Sequence, residues 1–137
     1  MSDLKRKLYE HCVHFLEQRI DAARTAIREA QESANDETKS SVGDKYETGR
    51  AMMQLEIEKN LTQLQEALKQ KKILDSINIE VQPLRVQNGS IVYADHGNFF
   101  IAISVGMLVI EKESFAIVSA QSPIGTKLIG LKQGDSF

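Results

Sequence analysis

The chain has 137 residues, 42% hydrophobic and 26% charged, with seventeen Lys and Arg against nineteen Asp and Glu. That balance excludes a disordered or fibrous chain and argues against a stand-alone duplex-DNA binder, which needs a net basic face. A single cysteine, Cys12, leaves no disulfide framework or Cys-based zinc site, and the apolar window 99–110 is too short to span a bilayer, so a cytoplasmic protein with no membrane partner is expected.

Composition shifts near residue 76. Residues 1–76 hold 27 of the 36 charged side chains, no proline and two glycines, whereas 77–137 hold both prolines and six glycines. The first half reads as helix and the second as strands and turns, an α+β chain with units 1–76 and 77–137. In the first half Val13, Leu16, Ile20, Ala23, Ile27 and Ala30 alternate spacings of three and four, a heptad seam. Met53, Ile57, Leu61, Leu64 and Leu68 form a second run. The stretch between them, rich in Ser, Asn and Asp, reads as a loop. The simplest arrangement is an antiparallel α-helical coiled-coil hairpin with its tip at about 33–47 and arms of roughly 45 Å at 1.5 Å per residue. A dimeric coiled coil or part of a larger bundle would have the same seams.

In the second half, strands are expected at 79–86, 90–94, 99–105, 107–111 and 115–119. Turn signals fall at Asn88-Gly89, His96-Gly97-Asn98, Gly106 and Glu113-Ser114. Short strands with tight turns predict a small antiparallel β domain. A helix over 123–128, with Pro123 in its first turn and Gly130 as its stop, would cover one face. The chain ends at Phe137 in what reads as the start of another strand, so a closing strand is expected beyond it.

Chemistry-bearing residues are few. Asp44 and Glu47 lie three apart, so on a helix they share a face and can offer two hard oxygen ligands to one Mg2+. The plain reading is a helix start, since Ser41 with Asp44 resembles a capping box and acidic first-turn residues complement the dipole. Two carboxylates make a poor free-standing metal site, so a partner would have to complete it. His11 and His14 flank Cys12 without a further zinc-spaced ligand and read as ordinary helix residues, and His96 reads as a turn residue. Arg19, Arg24 and Arg28 are interleaved with Glu17, Asp21 and Glu29, a solvated salt-bridged face rather than a nucleic-acid patch. No nucleophile motif, P-loop or dinucleotide fingerprint occurs.

The run Ser122-Pro123-Ile124-Gly125-Thr126-Lys127-Leu128-Ile129-Gly130-Leu131-Lys132-Gln133-Gly134-Asp135 resembles the C-terminal signature of the Gre transcript-cleavage factors of bacterial RNA polymerase. Val86-Gln87-Asn88-Gly89-Ser90-Ile91-Val92 is similar to that family's first strand, and Gly43-Asp44-Lys45-Tyr46-Glu47 to its tip motif. The resemblance covers nearly the whole chain. It implies an FKBP-like C-terminal domain behind the hairpin, and a bacterial transcription elongation factor that enters the secondary channel of RNA polymerase. There Asp44 and Glu47 would help hold a catalytic Mg2+, present only in the polymerase complex, for cleavage of backtracked nascent RNA. Such a factor is not itself an enzyme, because it stimulates the polymerase's own nuclease activity, and it meets DNA only indirectly. The same resemblance points to Ser122, Pro123, Ile124 and Gly125 for partner docking and to Lys39, Lys45 and Arg50 near the RNA.

The tip departs from the family after Glu47, where Thr48, Gly49, Arg50 and Ala51 put Arg50 at an acidic position. A channel-binding regulator that inhibits without cleavage is therefore the alternative. An FKBP-type peptidyl-prolyl isomerase is a second rival, weakened because Phe99, Phe100 and Phe115 sit in apolar strand runs suited to a core.

Overall fold

The computed structural model describes the backbone of residues 3–39 and 43–137, and the side chains of 3–35 and 48–137. Two long helices come first, α1 (Asp3–Lys39) and α2 (Gly43–Ser76). Four strands follow, β1 (Ile91–Ala94), β2 (Gly97–Ala102), β3 (Gly106–Ile110) and β4 (Glu113–Ser119), and then a short helix, α3 (Pro123–Leu128). The fold class is α+β. No helix among the described residues is long and apolar enough to cross a membrane. The chain divides into two compact units, 16–69 and the combination of 1–15 with 70–137.

The helical unit buries Leu16, Ile20, Ala23 and Ala30 of α1, four of the six seam positions expected from sequence, while Val13 and Ile27 are half-buried. In the part of α2 within this unit, the buried positions among the described residues are Ile57, Asn60 and Ala67, and Leu61 is 42% exposed. The expected run through Leu61 is therefore corrected. Two successive steps of four residues rotate about 80° past two full turns, whereas a four followed by a three returns within about 20° of the same face. The stripe consequently passes through Asn60. Its side-chain amide donates to the Glu56 carbonyl at 2.8 Å and to Glu56 Oε1 at 3.1 Å, which satisfies a polar group in a buried position.

In the second unit the strand order is β1-β2-β4-β3. The sheet is mixed rather than antiparallel as expected, because β2 and β4 run parallel. The cause lies at Gly106, read as a hairpin turn. Residues 103–105 instead carry the chain past one strand position, and β4 fills the gap. Ile117 pairs with Phe100 of β2 on one side and Gly106 of β3 on the other. Central strands are covered on both faces, so Phe100, Ile101, Ala102 and Ile103 are buried in succession, together with Phe115, Ile117 and Leu128. Leu8 and Cys12 of α1 and Leu74 of α2 add buried side chains from the helix ends.

Two further strand-level expectations change. The stretch 79–86 is no strand and contributes one isolated bridge, Arg85 to Lys132. Asn78 turns the chain there, its Oδ1 accepting from Glu80 N at 2.9 Å, and Pro83 can donate nothing to a ladder. The β3–β4 turn falls at Glu111-Lys112, not at Glu113-Ser114, and both residues adopt positive φ, 54° and 71°. That is the turn twist a two-residue hairpin favours, made here without glycine.

Candidate functional site

The carboxylates singled out from sequence open a helix. Asp44 and Glu47 lie in the first turn of α2, which begins at Gly43, while α1 ends at Lys39. Their spacing of three puts both on one face of that turn, where the exposed N–H groups favour negative charge. The side chains of Asp44, Glu47, Lys39 and Lys45 lie outside the described residues. Arg50, one turn further along α2, is exposed. Among the described residues no group of three or more His, Cys, Asp or Glu side chains could hold a metal.

The signature run near the C-terminus folds into a tightly bonded corner. Ser122 is the N-cap of α3, and its Oγ accepts from Gly125 N at 3.0 Å while donating to the Ser119 carbonyl at 2.7 Å. Pro123 occupies the first helical turn, where its missing N–H costs nothing. Gly125 is buried, and a Cβ there would collide with the Ser119 carbonyl oxygen. Beyond the helix, Gly134 has φ +96°, and Asp135 Oδ2 accepts from Lys132 N at 3.0 Å. That bond, with the Lys132 side chain beside it, holds the Asp135 carboxyl below the usual carboxylate range. Of the four residues expected to dock a partner, Ser122 and Gly125 are engaged within the fold. Pro123 is exposed and Ile124 is half-buried.

The remaining candidates resolve as ordinary structure. Cys12 is fully buried between half-buried His11 and exposed His14, and burial pushes its thiol up to about 12, so no reactive thiolate forms near neutrality. His96 lies in the β1–β2 turn with its ring edge-on to Phe137 at 6.4 Å. Phe100 and Phe115 are core, as their apolar runs suggested. An open groove of about 920 Å3 follows the outer side of β1, lined among others by Leu84, Tyr93, His96, Leu131 and Phe137. Burial raises the Tyr93 phenol, with the nearby Glu113 and Glu111 adding to the effect.

Sequence reasoning missed the residues that bind the helix ends to the rest of their own unit. Lys5 is buried and its Nζ donates to the Val81 carbonyl at 3.1 Å; burial pulls its pKa down. Lys7 pairs with Glu111 at 2.7 Å, Arg6 lies 3.6 Å from Glu80, and the Tyr9 hydroxyl donates to the Leu74 carbonyl at 3.0 Å. One signal was available. Three consecutive cations in the first two turns of a helix stand where its dipole disfavours them. Comparison of the chain with protein-family models, curated proteins and solved structures finds no match.

Proposed function

We propose that the chain is a Gre-like transcription factor that enters the secondary channel of bacterial RNA polymerase and stimulates cleavage of backtracked RNA. The observation that carries this reading is positional. The Gly43-Asp44-Lys45-Tyr46-Glu47 motif opens the second of two long helices, and the Ser122–Asp135 run forms the capped corner beside β4 in the sheet unit that follows. On this reading the helices are an antiparallel coiled-coil hairpin and the sheet unit is FKBP-like. The Tyr9–Leu74 hydrogen bond, joining the start of α1 to the end of α2, supports the hairpin.

Asp44 and Glu47 are hard oxygen donors within one helical turn, which fits the one or two protein carboxylates that Mg2+ takes. The polymerase would supply the remaining ligands, and the ion, when bound, would stabilise charge on the attacking and leaving oxygens. The contribution of this chain would be to deliver two carboxylates at a helix start. The test is a stalled, backtracked elongation complex. Adding the protein should shorten the RNA, and Asp44→Asn or Glu47→Gln should lower cleavage by about two orders of magnitude or more while polymerase binding stays near normal. Unchanged cleavage in both variants would end the metal role.

One observation favours the second reading, a channel-binding regulator that inhibits without cleavage. Arg50 is exposed three residues beyond Glu47, so a positive charge stands where the resembled family carries an acid. Inhibited synthesis without shortened RNA selects that reading. Reverting the charge with Arg50→Glu should then restore cleavage if the acidic position contributes.

A further inference from the structure

We propose that Lys5, Arg6 and Lys7 form a clamp that sets the path of segment 77–86, with Lys5 as its positioning residue. Segment 77–86 has no strand ladder of its own. Within it, the Asn78 turn bonds Glu80 N and Val81 N locally, and at its far end Arg85 bridges to Lys132 while Val86 bonds Leu131 and Gly130. Three consecutive side chains of α1 reach three different acceptors beside it: Lys5 to the Val81 carbonyl, Arg6 to Glu80, and Lys7 to Glu111 of the β3–β4 turn.

The placement of these cations is otherwise unfavourable. They crowd the positive end of the α1 dipole. Lys5 in addition gives up hydration, since it is only 7% exposed. A Met or Leu of similar volume would fill the same space without that penalty, and a charge kept in such a place is better understood as specifying a geometry than as adding stability. The bond from the Lys5 ammonium to the Val81 carbonyl is directional and constrains where Val81 lies, which an apolar contact does not. The Arg6 and Lys7 pairs are half or more exposed and weaken with salt, so the directed element that persists is Lys5.

The test is amide hydrogen exchange of the full chain, wild type against Lys5→Met and Lys5→Arg, with thermal melting on the same samples. If Lys5 positions the segment, Lys5→Met should speed exchange at Glu80 and Val81 by about tenfold or more while the β2 and β4 amides keep their protection. Lys5→Arg, which retains a donor, should move the rates back toward wild type. Raising the salt on wild type should leave Glu80 and Val81 protected. Exchange at these two amides unchanged in Lys5→Met would overturn the proposal. So would an equal rise at β2 and β4, the mark of a plain core residue, or release by salt alone, which would assign the hold to the exposed pairs.

Discussion

Gly125→Ala should destabilise the second unit even though alanine is the better helix former. Gly125 sits in the first turn of α3, and its backbone turns the missing side chain straight at the Ser119 carbonyl oxygen, with Ser122 Oγ 2.9 Å and the Ala120 carbonyl carbon 3.0 Å from the same point. The collision is with backbone, so no side-chain rotation relieves it. Moving the Ser119 carbonyl disturbs its bonds from Ser122 N and Ser122 Oγ, and through Ser122 the cap on Gly125 N. Overpacking costs about 1–3 kcal/mol, loss of a cap about 1, and the alanine preference returns about 1. The net loss is about 1–3 kcal/mol. At about 2 cal/mol/K per residue of unfolding entropy, a chain of 137 residues loses about 3–4 °C of Tm per kcal/mol, hence about 4–11 °C. Calorimetry measures this, and the near-ultraviolet dichroism of Tyr93, whose ring packs edge-on against Phe115 at 6.2 Å, reports on the sheet. Ser122→Ala provides the scale, losing the cap and the Oγ bond to the Ser119 carbonyl, together about 1–2 kcal/mol. A Gly125→Ala protein that melts at or above wild type would refute the packing argument.

Lys112→Gly should stabilise the chain by about 1 kcal/mol, because it relieves a lysine at φ +71° without touching the Lys7–Glu111 pair; urea unfolding that shows no gain would count against strain at this turn. Cys12 predicts an alkaline loss of stability. Its folded pKa of about 12 lies above its ordinary value of 9.0, so its contribution is intact below pH 9. Above that the unfolded thiol ionises while the buried one does not, and stability should fall by about 1.4 kcal/mol per pH unit toward pH 12. Comparing that slope with a Cys12→Ala variant isolates it from the tyrosines, and equal slopes would show the thiol is not protected. Asn60→Leu should cost no more than about 1 kcal/mol in thermal melting and could add stability, since it removes a buried amide whose bonds are local to its own helix.

Sequence periodicity shows the identity of most elements, 79–86 excepted, but not their neighbours. The α1 seam was legible because successive spacings of three and four keep one face, and Ala23 and Ala30 are buried as that rule requires. On α2 the leucines suggest a stripe that omits Asn60, since hydropathy marks an amide as surface until its own helix supplies a carbonyl to bond. The β2–β4 pairing was invisible for a different reason. A glycine at 106 looks the same whether the chain folds straight back or crosses one position over, and only the shared partner Ile117 distinguishes the two. Segment 79–86 has the apolar content of a strand, but nothing in it reveals that Asn78 accepts from Glu80 N and turns the chain aside.

The signature run shows how a recognisable motif and a functional site can differ. Ser122 caps α3, Gly125 permits a close backbone approach, Gly134 supplies a positive φ, and Asp135 closes the 132–135 turn. Such constraints mark how a corner is built, whatever its partner. In the proposed function Asp44 and Glu47 differ in kind, because their weight comes from the oxygen ligands a helix start would offer to an ion held by a partner. A residue whose neighbours account for it fully needs no partner, whereas two acids at a helix start gain a further purpose only if something outside the chain completes their coordination. The division also governs how variants should be read. On the proposed reading, changes in the corner should lower polymerase binding through folding, in step with Tm. Changes at 44 and 47 should separate cleavage from Tm.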